Sequence, residues 1–345
     1  MADFVIPRAV AAPVQRWQIA AIAAILVLAM AGCGAKPGAP SRQVLFERAA
    51  QGKLSGEEAI QLAPLLRDDA FRRAVATETA SRDAPITTQP RAAARERAAM
   101  DAAPRVSRRR MMTIARQSFA ESAAALLRDP DPRTRAAVLQ LRGPETQAAG
   151  IDALWAIAKE GGGQSSAIWR ACGALLLATD DRRAITALEN ARALNPQDKG
   201  LWRLLSHAYA RKERVRDAAV AALVGEGIDA ASTGDWRAAA RYLDLALPLV
   251  VDAPSRGFVL GLRGDAAAAV EDWDGAQRAY RAALDAHDAE KNIAALSLDS
   301  SRLARAQLKQ GDGRRACATL RHARTQGAAV TEAELSSACG AAAPR

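Results

Sequence analysis

Apolar residues recur at helical spacing along most of the chain after its first forty residues. Residues 44–79 have this spacing, and Ser55-Gly56-Glu57-Glu58 has the capping-box pattern with which helices begin. Residues 81–107 lose the periodicity and contain three prolines, which predicts a linker or long loop with a short helix over 91–100. Helical spacing returns at Arg110, so the pattern predicts an all-α protein.

The second half of the chain repeats an arrangement of large and small apolar residues. One copy has Trp169, Cys172, Gly173 and Leu176, followed by Ala184, Leu188, Ala191 and Asn195-Pro196; the next has Trp202, Leu205, Ser206, Tyr209 and Ala218. Ala184 and Ala218 are 34 residues apart. This pattern resembles the tetratricopeptide repeat (TPR), a helical hairpin of that period. The resemblance implies a right-handed α-solenoid of stacked hairpins, preceded by an irregular helical region.

Three further copies follow with an imperfect register. They contain Gly234-Asp235-Trp236 with Ala239, Leu243 and Ala246; Leu260, Gly264, Trp273, Ala276, Tyr280 and Ala283; and Leu303, Ala304, Gly311, Ala316, Leu320 and Ala323. Ala218 and Ala239 are only 21 residues apart, so that copy either lacks a first helix or merges two helices into one. Ala276 and Ala316 are 40 apart, which predicts an insertion over 285–295. The segment after Val330 is expected to cap the last copy, because repeat arrays need capped ends.

A proline-rich turn precedes this array. The run Asp129-Pro130-Asp131-Pro132, followed by Arg133 and Arg135, resembles the turn of a HEAT-type repeat. Proline ends the first helix, aspartate caps the second, and Arg135 is expected to reach the turn carboxylates. Any helical hairpin with a proline turn remains an alternative.

The composition favours helices and gives little support for a polyanionic partner such as nucleic acid. Alanine supplies 85 of the 345 residues, and alanine is the best helix former and is depleted from strands. The net charge of +10 comes from 41 arginines and 7 lysines against 38 acidic residues. An arginine bias spread along the whole chain also arises from base composition, so no nucleic-acid partner is expected.

The N-terminus has the three parts of an export signal. Arg8 and Arg16 precede an apolar run over residues 19–30, which is too short to span a bilayer comfortably. The following Met30-Ala31-Gly32-Cys33 resembles the lipobox of bacterial lipoproteins, with methionine where leucine is usual. The resemblance implies cleavage before Cys33, acylation of that cysteine, and, since no aspartate follows it, sorting to the outer membrane facing the periplasm. A plain signal peptide or an uncleaved anchor remains an alternative.

Three cysteines follow Cys33, so at most one internal disulfide can form in an oxidising compartment. We expect it between Cys317, in a predicted helix, and Cys339, in the segment that folds back as a cap. Cys172 occupies a helix-packing position.

No pattern in the sequence predicts catalysis. His207, His287 and His322 lack neighbours at metal-ligand spacing, and Gly161-Gly162-Gly163 follows no strand. Acidic pairs such as Asp180-Asp181 stand at helix starts, and Trp236 and Trp273 precede second helices, where we expect packing. The prediction is a non-enzyme without metal or cofactor.

A site that recognises a partner protein is therefore expected on the surface of the array. In the TPR family the first helices line a groove that holds a peptide, and helical spacing aligns Arg170 with Arg203, followed by His207 and Arg211, with Arg305 in the last copy. A row of guanidinium groups favours acidic segments or C-terminal carboxylates. A solvated helix face is the alternative.

The function expected is a lipid-anchored envelope scaffold or adaptor for protein partners. The alternative class is a structural protein that binds envelope glycans or anionic lipids through the basic stretch 105–116, and an enzyme is a third. The chain divides into a signal peptide (1–32), a tether (33–43), N-terminal helices with a linker (44–106), HEAT-like hairpins (107–160), a TPR array (161–329) and a cap (330–345).

Overall fold

The computed structural model describes residues 40–70, 94–103, 108–143, 145–160, 165–177, 179–289 and 291–340. The chain divides into two units, residues 1–47 and 48–345. The predicted signal peptide and Cys33 lie outside the described residues.

The described residues form an all-α structure of sixteen helices without a strand. The helices are α1 (Arg42–Ala50), α2 (Gly56–Ala70), α3 (Ala94–Ala102), α4 (Arg108–Leu126), α5 (Pro132–Gln140), α6 (Gln147–Glu160), α7 (Ser166–Leu176), α8 (Asp181–Leu194), α9 (Lys199–Arg211), α10 (Val215–Ser232), α11 (Trp236–Ala246), α12 (Ala253–Ala269), α13 (Trp273–Asp288), α14 (Ile293–Lys309), α15 (Gly313–Thr325) and α16 (Glu332–Gly340). None of the described helices combines the length and apolar character needed to cross a bilayer.

Short polar side chains begin most of these helices. At the start of α2, Ser55 Oγ accepts from the Glu58 backbone N–H at 3.2 Å, while Glu58 Oε2 accepts from the Ser55 N–H at 2.8 Å. An aspartate N-cap recurs before α5, α8, α9, α11, α12, α13 and α15. Each satisfies a backbone N–H that has no partner within its helix.

Successive helices of residues 166–325 pack against one another, so this region is an α-solenoid of helical hairpins. Glycines in the first helix of a pair allow the second helix to approach closely. A Cβ on Gly173 of α7 would lie 2.6 Å from Leu188 Cγ of α8, and one on Gly264 of α12 would lie 2.3 Å from Tyr280 Cε1 of α13. The repeated small and large positions of the sequence are therefore the contacts between paired helices.

The two irregular intervals of the sequence are both helical. A single 18-residue helix, α10, packs with α9 on one side and α11 on the other, so the short interval is a merged helix rather than a missing one. Over 285–295, the extra residues lengthen α13 and α14 to 16 and 17 residues, with turn residues at Ala289 and Lys291 between them. The predicted insertion is mostly helix continuation, not a loop.

The region before the array packs onto it through α4. This 19-residue helix contacts α2, α5 and the first helices of two hairpins, α7 and α9. Its face of Met111, Ala115, Phe119 and Ala123 is at most 1% exposed. Buried area of this kind makes α4 a structural part of the array, because each buried large side chain contributes about 1.5–3 kcal/mol.

The proline turn joins α4 to α5. Asp131 Oδ1 accepts from the Arg133 backbone N–H at 2.8 Å, and Pro132 occupies the first turn of α5. Arg135 Nη1 donates to the backbone carbonyl oxygens of Asp129 and Pro130, the latter at 3.0 Å. The expectation that Arg135 binds the turn carboxylates was wrong, because the carboxylate of Asp131 is engaged by Arg133 and by the helix start.

The chain after residue 330 folds back on the last hairpin. Helix α16 contacts α14 and α15, and Leu335 and Ala338 join a core cluster with Leu320 and Ala316. Thr331 and Glu334 form a second capping box, with the Thr331 N–H donating to Glu334 Oε2 at 3.0 Å. The segment thus covers apolar surface that would otherwise end the array exposed.

Candidate functional site

The first arginine of the predicted groove is enclosed by its own chain. Arg170, on α7, is 17% exposed and donates from Nε to Ser118 Oγ of α4 at 2.6 Å. Its Nη1 lies 2.8 Å from Asp198 Oδ2, and its Nη2 pairs with Glu121 of α4. The guanidinium group that was expected to hold a ligand carboxylate therefore binds two carboxylates of the protein.

The next two arginines are paired as well. Arg203 of α9 is 15% exposed, and its Nη2 lies 3.0 Å from Glu226 Oε1 and 2.8 Å from Asp229 Oδ2 of α10. The pKa of Asp229 is lowered, chiefly by a hydrogen bond from Lys199 and further by Arg203. Arg211 Nη1 contacts the Leu177 carbonyl oxygen at 2.7 Å and Asp181 Oδ1 at 3.1 Å.

The other two members of the predicted row are His207 and Arg305. His207 is partly buried on α9, one turn from Arg203. Arg305 is exposed on α14 and contributes to the lowered pKa of Glu334, whose main cause is the Thr331 backbone N–H. Arg305 therefore lies toward the start of α16, whereas Arg170, Arg203 and Arg211 are engaged by carboxylates of the array and of α4.

The cysteines have structural positions. Cys317 and Cys339 form a disulfide with a Cα–Cα distance of 4.8 Å, which ties α16 to α15. Cys172 is buried on α7, and burial raises the pKa of its thiol to about 12. A thiol with that pKa is not a nucleophile at neutral pH.

A buried polar cluster links α12, α13 and α14. Arg302 bridges two carboxylates, with Nη2 2.7 Å from Asp265 Oδ2 and Nη1 2.9 Å from Asp299 Oδ1. Tyr280 donates to Asp265 Oδ1 at 2.8 Å, and His287 Nε2 lies 3.5 Å from Asp299 Oδ2. Burial raises the pKa of both aspartates above the ordinary range.

The backbone of α12 fills the space beside this cluster. A Cβ on Gly257 would lie 2.4 Å from His287 Cε1, and one on Gly261 would lie 3.1 Å from Asp299 Oδ1. A catalytic carboxylate needs a substrate within hydrogen-bond distance, and here the helix occupies that place. Within the described part of the chain, no group of three or more metal-ligating side chains could hold a metal ion. The cluster is best explained as a polar core between three helices.

An open cleft lies between α11 and α12, where the sequence had predicted only packing. It measures about 470 Å³, and its lining comprises Asp235, Trp236, Arg237, Ala240, Arg241, Arg263, Ala266, Ala267, Val270 and Asp272. Helical spacing places Arg237, Ala240 and Arg241 on one face of α11, and Arg263, Ala266 and Ala267 on one face of α12, with Val270 directly after that helix. We call this space the α11/α12 cleft.

Small residues keep the α11/α12 cleft open. Ala240, Ala266 and Ala267 line it, and alanine side chains are too short to fill the space between two helices. Val270 lines the same space with 46% of its surface exposed. The cleft therefore presents apolar surface to solvent between flanking arginines.

The carboxylates at the cleft are already engaged, whereas two of its arginines are not. Asp235 caps α11 by accepting from the Ala238 N–H, and Asp272 caps α13 by accepting from the Gly275 N–H, both at 2.9 Å. Arg263 Nε lies 2.7 Å from Asp244 Oδ1. Within the described residues, Arg237 and Arg241 make no ion pair or side-chain hydrogen bond.

The sequence contained one signal for this cleft. Arg237 and Arg241 are four residues apart, which places both guanidinium groups on one helix face beside Trp236. That signal is common in an arginine-rich chain, so only the neighbouring face of α12 distinguishes these two residues. Trp273, at the equivalent position of the next hairpin, packs against a core cluster as expected.

Comparison with known proteins identifies no family. No protein-family model matches the chain, and no curated protein matches its sequence. Among solved structures, a chain of the crystal structure of the APC/C hetero-tetramer Cut9-Hcn1 is similar at 16% identity, with 82% of this chain and 60% of that chain covered and a TM-score of 0.29. Yeast Tom70 is similar at 12% identity, with coverage of 89% and 64% and a TM-score of 0.32. The present chain spans less than two thirds of either.

Proposed function

We propose that this protein is a non-enzymatic scaffold that binds protein partners on its helical-hairpin array. The observation that supports this is that buried charged groups are paired within the protein, whereas two exposed arginines are not. In the buried cluster, Arg302 pairs with Asp265 and Asp299, and the α12 backbone fills the space beside these side chains. Arg237 and Arg241, in contrast, stand unpaired among the described residues at an open cleft. Exposed charges beside apolar surface suit recognition, not chemistry.

The proposal includes anchoring at the bacterial outer membrane, facing the periplasm. It rests on the sequence alone: an apolar run of signal-peptide length ending in Met30-Ala31-Gly32-Cys33. Acyl chains on Cys33 would hold the array at the membrane surface, because two or more chains give durable anchoring. An oxidising compartment also suits the Cys317–Cys339 disulfide. In this setting the array would assemble or regulate an envelope complex.

In-cell cross-linking followed by mass spectrometry tests the scaffold proposal. The full-length protein should yield discrete envelope proteins, enriched over a control in which an unrelated lipoprotein is cross-linked. Partners indistinguishable from that control would refute the proposal.

Membrane fractionation of Cys33→Ala tests the anchor separately. The variant should leave the membrane fraction and become insensitive to globomycin, an inhibitor of lipoprotein signal peptidase. Unchanged fractionation and sensitivity would contradict acylation of Cys33, whether or not partners are found.

A second candidate function, binding of anionic lipid or glycan, is favoured by the start of α4. Its first turn contains three arginines, Arg108 to Arg110, and no acidic residue. Cations at a helix N-terminus oppose the macrodipole, so helix stability does not explain them. The protein should co-sediment with peptidoglycan or anionic vesicles, and the Arg109→Gln/Arg110→Gln variant should not. Co-sedimentation that is retained in the variant would exclude the start of α4 as the binding surface.

A further inference from the structure

We propose that the α11/α12 cleft binds an extended acidic peptide segment of a partner protein, an assignment that rests on the scaffold function proposed above. The segment would have two acidic residues separated by one residue, with an apolar residue two positions after the second of them. The site differs from the row of first-helix residues that the sequence indicated, because it lies between α11 and α12 and contains none of them.

The shape of the cleft fits the side chains of a peptide. Its volume of about 470 Å³ lies within the range of about 300–1,000 Å³ that is usual for ligand pockets. Trp236, Ala240 and Val270 offer apolar surface for one side chain of the ligand. A bilayer surface cannot enter a cleft between two helices, so a peptide fits better than a membrane.

The charges define the chemistry of the ligand. Arg237 and Arg241 are the cleft arginines without a carboxylate partner among the described residues, whereas Arg263 is held by Asp244. A guanidinium group presents several donors in a fixed plane and binds a carboxylate through two parallel hydrogen bonds. Asp235 and Asp272 would repel an acidic ligand, but both carboxylates are engaged at helix starts, which reduces that repulsion.

The spacing of the two arginines defines the spacing of the ligand's carboxylates. Residues four apart on a helix have Cβ atoms about 6 Å apart. In an extended chain, alternate residues point to the same side and are separated by about 7 Å. Two acidic residues with one residue between them therefore match Arg237 and Arg241, and an apolar residue two positions after the second acidic residue lies on the same side, toward Trp236 or Val270.

Fluorescence polarisation with a labelled peptide tests the assignment. The probe is a short peptide in which one alanine separates two glutamates and a second alanine separates the second glutamate from a leucine, and the control peptide has glutamine in place of both glutamates. The full-length protein in detergent should bind the acidic probe saturably and at least about tenfold more tightly than the control, because hydrogen bonds between ionised groups are the strong ones. Equal binding of the two peptides, or none, would overturn the assignment.

Three variants separate the cleft from general charge. Arg237→Gln/Arg241→Gln should weaken binding of the probe by about tenfold or more. Arg314→Gln/Arg321→Gln removes the same charge from exposed positions of α15, outside the cleft, and should leave binding unchanged. Ala240→Phe keeps every charge but fills the cleft, and it should also abolish binding. Equal loss in the first two variants, or full binding by Ala240→Phe, would refute the site.

Two further outcomes separate this site from its rivals. If anionic vesicles compete with the probe, and the Arg237→Gln/Arg241→Gln variant no longer binds those vesicles, the cleft binds a membrane surface. That result would overturn the peptide proposal. Cross-linked partners that persist at wild-type levels in that variant would refute the cleft while the scaffold function stands. Absence of specific partners even for the unmodified protein would refute the scaffold function itself.

Discussion

Replacing Arg170 with alanine should destabilise the protein, because this arginine holds α4 and the start of α9 to α7. Its guanidinium group contacts Ser118 and Glu121 of α4, and Asp198 at the start of α9. A groove residue reserved for a ligand would instead leave stability unchanged when removed. Arg170→Ala therefore distinguishes a structural role from a binding role at the first position of the predicted row.

The magnitude follows from the exposure of the partners. Glu121 is 51% exposed, so its ion pair contributes little, at most about 1 kcal/mol. Asp198 is only 13% exposed, and a hydrogen bond between charged groups contributes about 1.5–3 kcal/mol when its partner is left buried. Asp198 also caps α9 through the Gly200 N–H at 2.8 Å, which partly compensates its carboxylate after the change. The expected loss is about 2 kcal/mol.

Urea denaturation followed by circular dichroism at 222 nm measures this loss. Arg237→Ala is the matched control, because Arg237 is exposed and has no ion pair among the described residues; its effect should stay within about 0.5 kcal/mol. An Arg170→Ala midpoint equal to that of the control would refute the structural role and restore Arg170 as a ligand-binding candidate.

Three other predictions concern the array. Reducing the Cys317–Cys339 disulfide should lower the free energy of unfolding by about 3 kcal/mol for a separation of 22 residues, measured by denaturation with and without reductant; equal midpoints would contradict this. Gly264→Ala should cost about 1–3 kcal/mol, because the new Cβ would lie 2.3 Å from Tyr280 Cε1, and an unchanged melting temperature would argue against the close helix contact. Since burial raises the folded-state pKa of Asp299 above 3.8, the wild type should lose stability relative to Asp299→Asn as pH rises through the interval between 3.8 and that higher value; a pH-independent difference would refute the shift.

Local features of the structure followed closely from the sequence. The capping box at Ser55 and the aspartate before α5 form as the residues predict, because a cap involves only groups within one turn. The merged helix α10 was one of two alternatives open for the 21-residue interval, and its apolar run from Ala218 to Val224 lies inside the single helix. Over 285–295 the sequence predicted an insertion because repeat spacing locates a helix pair without giving the lengths of its helices.

The candidate sites depended on contacts that spacing does not contain. Arg170 and Arg203 are equivalent in the repeats, yet Arg170 binds α4 residues 49 and 52 positions away, whereas Arg203 binds α10. The periodicity of residues 108–126 predicts a helix but does not identify α7 and α9 as the helices against which it packs. Similarly, Arg237 became a candidate only because α12 leaves small side chains opposite it.

The sequence by itself determined the helical class, most helix starts and the paired small and large positions of the hairpins, since these follow from interactions within a few residues or one repeat. The tertiary structure decided which arginines are already paired and which remain exposed. That outcome depends on where carboxylates from distant segments arrive: Glu121 and Asp198 arrive at Arg170, whereas no described carboxylate pairs with Arg241. Charge pairing acts through space over a few ångströms, so it is a property of the packed helices.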